Sequence, residues 1–283
     1  MFDSIAIVGL GLIGGSFALD VRRLGLAGHI LGYDNNPEYR AEICKRKLVD
    51  YLADTPDSKL AEAQLVMLAV PVKAYDEVLP KICPHLSKSA ILTDTGSVKT
   101  PLLELMSTPV YKGISFVGGH PIAGSENFGP LAAKGNLFSG KRCIITPETN
   151  TDRHVVHTVC EMWESVGAIV TKMKAEEHDQ IFASVSHLPH LLAYATIQAI
   201  SDSSTPEALF YSGAGLKDFS RIASSSPEMW ADIFLENQEQ MLSRINIFKN
   251  VLDKLESEIR NNDKEKLIKL LAQAKTERDE WIT

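Results

Sequence analysis

No run in the 283 residues comes near the roughly 20 consecutive apolar side chains that a helix needs to cross a bilayer. The most apolar stretch, MFDSIAIVGLGLIGG at the start, lacks the basic flank of a secretion signal. It reads as a buried first strand, so the chain is expected in the cytoplasm, without a membrane partner. Cysteine is scarce: Cys44, Cys83, Cys143 and Cys160 stand far apart with no C-x-x-C pair, which argues against a disulfide framework or a thiolate zinc site. Reduced, mostly buried thiols are expected. Basic charge is in deficit, with 29 Lys and Arg against 36 Asp and Glu and a net charge of -7. With no basic stripe along the chain, nucleic acid is not expected as a partner, and an anionic substrate would need a local cation to hold it. Internal repeats and low-complexity segments are also absent.

What the chain does contain is room for two domains of ordinary soluble composition, at 31.1 kDa with 45% hydrophobic residues. Up to about residue 172, short β-branched runs alternate with helical patterns: IAIV at 5–8, HILGY at 29–33, LVMLAV at 65–70, AILT at 90–93, ISFV at 114–117, CIIT at 143–146 and AIVT at 168–171. Such alternation predicts βαβ units and a mostly parallel sheet. Beyond 172 the pattern is helical over 175–200, about 227–260 and 263–281. The expected fold is α/β, with an N-terminal Rossmann-type dinucleotide-binding domain at 1–172 and an all-helical C-terminal domain at 173–283. Met241, Ile245, Phe248, Leu252, Leu255 and Ile259 form a seam spaced by fours and threes. It suits either packing within the chain or a subunit interface.

Gly9, Gly11 and Gly14 stand in G-x-G-x-x-G spacing directly after the first strand and at the start of a helix. That context, more than the spacing, marks a dinucleotide site: a tight turn, a close approach to pyrophosphate and a close helix–strand packing. Asp34 follows twenty residues later, at the end of the second strand. A carboxylate there accepts bonds from ribose hydroxyls and repels a 2′-phosphate, so NAD is favoured over NADP. Cofactor contacts are expected at Gly9, Gly11, Leu12, Ile13, Gly14, Asp34, Val70 and Pro71.

Three stretches lie where open α/β sheets bind ligands, beyond the carboxyl ends of strands: AVP at 69–71, TDTGSVKT at 93–100 and GGHPIAGSE at 118–126. In the last, glycines and a proline flank His120 after an apolar run, which exposes an imidazole at a strand end, as a catalytic base requires. Ser97 is placed to cap the helix that contains Pro101, or to act in the crevice. Pro189, between His187 and His190, removes the donor for the Val185 carbonyl and kinks that helix beside two imidazoles. No carboxylate or cysteine accompanies them at metal spacing, so no metal is expected. Arg221, in YSGAGLKDFSRIA, offers a fork for a carboxylate, or an i, i+3 pair with Asp218.

Together GLGLIGGS, DTGSVK, GGHPIAGSE, SHLPH and GLKDFSRIA, followed by Trp230, resemble the prephenate dehydrogenase family, which includes the arogenate dehydrogenases. The resemblance runs over essentially the whole chain. It implies NAD(P)-linked oxidative decarboxylation of prephenate to 4-hydroxyphenylpyruvate, a step of tyrosine biosynthesis, in a homodimer formed by the C-terminal helices. By position it implies His120 as the base with Ser97 as its partner, His190 and Ser186 as substrate contacts, Arg221 as carboxylate anchor and Glu126 as an acid at the mouth of the site. Ala214, where a glycine is common, and Leu216-Lys217, in place of an aromatic residue and Arg, depart from the pattern and bear on substrate preference.

Three other readings remain. Arogenate, with an amino in place of a keto group, would be the small-molecule substrate of a closely related enzyme. A β-hydroxyacid dehydrogenase would use a lysine on the long interdomain helix, and residues 175–200 contain none. An NAD-binding sensor without turnover would have no use for His120, His190 and Arg221.

Overall fold

The structure is a computed structural model that describes residues 2–125, 127–203, 205 and 207–282. Eight strands form one sheet: β1 (Phe2–Val8), β2 (Ala27–Tyr33), β3 (Tyr51–Ala53), β4 (Leu65–Leu68), β5 (Ile91–Asp94), β6 (Ser115–Pro121), β7 (Arg142–Thr146) and β8 (Ile169–Lys172). Their order is β3-β2-β1-β4-β5-β6-β7-β8, the doubly wound arrangement extended by two strands. All pairs are parallel except β6–β7. Helices α1 (Leu12–Leu24), α2 (Pro37–Arg46), α3 (Tyr75–Ile82), α4 (Thr100–Met106) and α5 (Arg153–Ser165) connect them.

The alternation of β1 explains why both faces are covered. Ile5 and Ile7 enter one core with Phe17, Phe138 and Trp163, while Ala6 and Val8 enter another with Leu68, Leu79 and Leu92. All seven strand-like runs of the sequence lie within or overlap strands. The three-residue β3 was not foreseen, because it is too short for a period to show.

After β8 the chain is helical: α6 (Ala175–Phe182), a π-helical turn (Ala183–His187), α7 (Leu188–Ser203), α8 (Ala214–Ser220), α9 (Pro227–Glu236), α10 (Gln238–Arg260) and α11 (Lys264–Ile282). Where a kink was expected, beside Pro189, the helical hydrogen-bond pattern changes to that π turn. The single helix expected over 227–260 is two, α9 and α10, meeting at Asn237. Two compact units result, Met1–Asn237 and Gln238–Thr283, and the change from sheet to helices falls inside the first. A small cluster of Val98, Trp230 and Ile233, with Tyr194 and Phe234, packs the turn after β5 against α7 and α9. Of the four thiols, Cys143 and Cys160 are buried, Cys83 is half-buried and Cys44 is exposed. No helix among the described residues is long and apolar enough to cross a membrane.

Candidate active site

Because β1, β4, β5 and β6 are parallel, the turns after them open on one edge of the sheet. Gly9 sits after β1 with φ +88°, where L side chains are strained, and a Cβ there would fall 2.5 Å from the Ala69 carbonyl oxygen. A Cβ on Gly14 would lie 2.0 Å from the carbonyl oxygen of Gly9, so only glycine lets α1 start this close to the turn. Gly11 is different. As N-cap of α1 it supplies no side-chain cap, and a Cβ there would meet nothing within 4 Å. The first-turn N–H groups, at Leu12 and Ile13 among others, therefore have no intrahelical acceptor and lie at the positive end of a 13-residue helix. That arrangement fits a dinucleotide pyrophosphate.

Asp34, just beyond β2, accepts the Leu10 N–H at 2.9 Å on Oδ2 and the Asn36 N–H at 3.0 Å on Oδ1. It braces the glycine turn and keeps a lone pair on each oxygen for ribose hydroxyls. Val70 packs over Gly9, and Pro71, exposed, opens the next 3-10 turn.

His120 is the penultimate residue of β6, paired with Ile144 of β7. The expectation of an exposed imidazole is corrected: the residue is only 9% exposed, because the rings of Phe182 and His178 lie over it at centroid distances of 4.9 and 5.0 Å. The preceding glycine is needed for space, since a Cβ on Gly119 would come within 2.8 Å of the Asp94 carbonyl oxygen. His120 Nδ1 is 2.7 Å from His178 Nε2, and His178 Nδ1 is 2.8 Å from Asp179 Oδ1.

Asp179 also accepts the backbone N–H groups of Lys99 and Thr100, each at 2.9 Å. It thereby caps α4, the task expected of Ser97. Lys99, not Ser97, holds the N-cap position, so Ser97 lies two residues too early to cap, and a carboxylate from α6 serves instead. Ser97 remains half-buried, with its backbone beside His187, and among the described residues no hydrogen bond joins it to His120, whose Nδ1 meets His178 in place of the expected serine. Beneath His120 runs a buried ion pair. Lys99 Nζ donates to Asp94 Oδ2 and, at 2.8 Å, to the carbonyl of Gly119, while Asp94 Oδ1 accepts the Gly119 N–H at 3.0 Å.

Charge in this pocket is set by burial. His120 is held well below its ordinary value of 6.5 by burial first, then by His178, Lys99 and His187. Burial likewise lowers His178, against the pull of Asp179, and pushes His187 down to about 4. Burial alone would raise Asp179, but bonds from His178, Thr100 and Lys99 outweigh it and hold the carboxyl below its usual range. The imidazoles are therefore neutral at pH 7 and Asp179 is ionised.

On the helical side, His190 donates from Nδ1 to the Ser186 carbonyl at 2.8 Å and stacks on Trp230 at 3.7 Å with 21° between planes. Its pKa is lowered, chiefly by burial and further by the charge of Arg221, which is exposed at the start of a 3-10 turn. Ser186 lies within the π turn. Thus His120, Ser97, His187, His190, Ser186 and Arg221 gather on one side of the fold, while Glu126 lies outside the described residues. Among the described residues no group of three or more His, Cys, Asp or Glu could hold a metal ion.

His178 and Asp179 were missed in the sequence, where AEEHDQIF is only the opening of the helical pattern over 175–200. A signal was present: Ala175, His178, Asp179 and Phe182, the buried residues of α6, fall at i, i+3, i+4 and i+7, so a His–Asp pair occupies the helix's inner stripe.

A doubly wound sheet with a bare helix N-terminus after β1 and a neutral imidazole at the same sheet edge defines a dinucleotide-dependent oxidoreductase. Residues 17–172 match the model of the prephenate dehydrogenase nucleotide-binding domain, and 174–273 that of the prephenate dehydrogenase dimerization domain. The chain is 36% identical over 272 residues to cyclohexadienyl dehydrogenase of Zymomonas mobilis, covering 95% of this chain and 92% of that one. Among solved structures it superposes with a TM-score of 0.90 on prephenate dehydrogenase from A. aeolicus in complex with hydroxyphenyl propionate and NAD+, at 40% identity and 98% coverage of both chains. The arogenate dehydrogenase of Synechocystis gives 0.82 at 32% identity, covering 98% of this chain and 99% of that chain. The chain belongs to the prephenate dehydrogenase family.

Proposed function

We propose that the protein oxidatively decarboxylates prephenate to 4-hydroxyphenylpyruvate with NAD, as a cytoplasmic homodimer in tyrosine biosynthesis. Residues 1–172 hold the cofactor; 173–283 supply substrate contacts and the subunit interface. The observation that carries this reading is the common sheet edge of the glycine turn and His120, three strands and therefore about 14 Å apart. An extended dinucleotide whose pyrophosphate rests on Gly11, Leu12 and Ile13 can reach that far, with Asp34 on the adenosine ribose and Val70 and Pro71 along its path. Bound NAD+ supplies the acceptor for the hydrogen and electron pair that leave the ring carbon.

The remaining chemistry belongs to the chain. Neutral His120 takes the proton of the hydroxyl on that same ring carbon, with Ser97 holding the hydroxyl oxygen. The O–H electron pair becomes the new C=O bond. The ring carboxylate then leaves as CO₂, and its bonding pair flows into the ring and on to that oxygen. The ring becomes aromatic, and protonated His120 returns the proton to the phenolic oxygen. His190, Ser186 and Glu126 contact the substrate, and Arg221 anchors its side-chain carboxylate bidentately. Leu252 and Ile259 of the α10 seam remain 48% and 65% exposed in the single chain, which supports a subunit interface there.

The test is NADH or NADPH formation with prephenate and with arogenate, each offered NAD and NADP. Fastest turnover with prephenate and NAD is expected. Preference for arogenate would correct the substrate, and NAD binding without any turnover would favour a sensor.

A further inference from the structure

Resting on that reading and deepening it, we infer that His178 and Asp179 are positioning residues that lock His120 in the one neutral tautomer able to act as a base, with hydrogen on Nδ1 and a free electron pair on Nε2. The inference follows from the order of donors along the chain. Asp179 Oδ1 already accepts the Lys99 N–H and Oδ2 the Thr100 N–H, so the carboxylate is fixed as an acceptor on both oxygens. His178 Nδ1, 2.8 Å from Oδ1, must then carry hydrogen, because a bare nitrogen there would set two electron pairs face to face.

A neutral His178 with hydrogen on Nδ1 has a bare Nε2, which can only accept. Its partner at 2.7 Å, His120 Nδ1, must therefore donate. The alternative is a doubly protonated His178 that donates at both ends. It would bury a second cation in a pocket that already holds the Lys99 ammonium, whose side chain is 1% exposed, and the burial of His178 opposes it. The other groups facing the two rings do not alter the order. Asp94 is paired to Lys99, and His187 is neutral with Nδ1 toward the Asn237 amide.

The rings are also fixed in angle. Phe182 stacks on His178 at 4.4 Å with 30° between planes and lies against His120, so neither imidazole can turn without displacing it. His120 Nε2 makes no hydrogen bond among the described residues, which leaves it as the atom presented to substrate. The arrangement has the logic of the serine-protease triad, with a second imidazole interposed between acid and base.

Asp179 is unsuited to a first test because it also caps α4. The full-length chain with His178→Leu and His178→Gln separates the roles. Leucine can neither accept nor donate, whereas the glutamine amide can accept from His120 and donate to Asp179. In spectra of the ¹⁵N-histidine-labelled protein, with His120 signals identified by their loss in His120→Asn, the wild type should show hydrogen on Nδ1 of His120. His178→Leu should shift it to Nε2 or to a mixture. With prephenate and NAD, His178→Leu should lower kcat by about 10²-fold or more with KM little changed, and His178→Gln should recover most of the loss. Hydrogen on Nε2 of wild-type His120, or an unchanged kcat in a folded His178→Leu, would overturn the inference. Should His178→Leu not fold, the wild-type spectrum and the glutamine variant still decide it. A chain that turned over neither substrate would defeat the functional reading, while the tautomer would be read independently.

Discussion

The ammonium of Lys99 donates to the carbonyl of Gly119, the residue before His120, at 2.8 Å, while its ion-pair partner Asp94 accepts the N–H of the same glycine at 3.0 Å. Both backbone polar groups of one residue, and so the peptide units on either side of it, are thus held by a pair whose side chains are 1% and 0% exposed. The strand end that carries His120 is fixed from beneath by charge and from above by rings.

Lys99→Met would leave the Asp94 carboxylate buried with only the neutral donors Tyr75, Gly96 and Gly119. Removing one partner of such a pair costs about 3–5 kcal/mol, and three surviving donors place the expected loss near the lower end. Urea denaturation measures it. A loss under about 1 kcal/mol would mean the pair contributes no more than an exposed one.

Burial places the titration of His120 below 6.5, and a base is active only when unprotonated. Activity is therefore lost as pH falls through that lowered value. The profile of kcat/KM should stay level through neutral pH, pass 6.5 without a fall and decline only in more acid solution. A decline centred at or above 6.5 would show that the free enzyme's His120 is more solvated than its packing against Phe182 and His178 implies.

The glycines of the nucleotide turn separate fold from binding. Gly14→Ala forces a methyl against the Gly9 carbonyl and should lower both the melting temperature and NAD affinity. Gly11→Ala meets nothing in the protein, so the chain should melt nearly as before while NAD binds more weakly, because the methyl occupies the approach to α1. Calorimetric titration and thermal melts on both variants check this. Equal NAD affinity in Gly11→Ala and wild type would remove the pyrophosphate from α1.

Much of this was legible in the sequence because parallel strands bury both faces and stand out as apolar runs, and because the glycine turn has its own spacing. Position along the chain also marked His120. Its immediate environment was not legible, since α6 reaches it across 58 residues and brings His178 by tertiary packing. Capping misled for a related reason. Ser97 has the right chemistry, but the carboxylate of Asp179 arrives from another helix and serves two N–H groups at once. The division at Asn237 escaped a periodic reading because α9 and α10 follow one another with no glycine or proline between them.

Arg221→Ala should raise the KM for prephenate strongly with a smaller change in kcat, because a dianionic substrate would enter a protein of net charge -7 without its fork. Steady-state kinetics at fixed ionic strength measure this. An unchanged KM would refute the anchor.

The most direct test of the account compares wild type with His120→Asn for turnover of prephenate at saturating NAD, alongside the dissociation constant of the substrate. A base that acts only in the reaction predicts a fall in kcat of roughly 10²–10⁴-fold with binding much less affected. A loss expressed in binding, with turnover preserved, would contradict it and make His120 a substrate contact rather than the base.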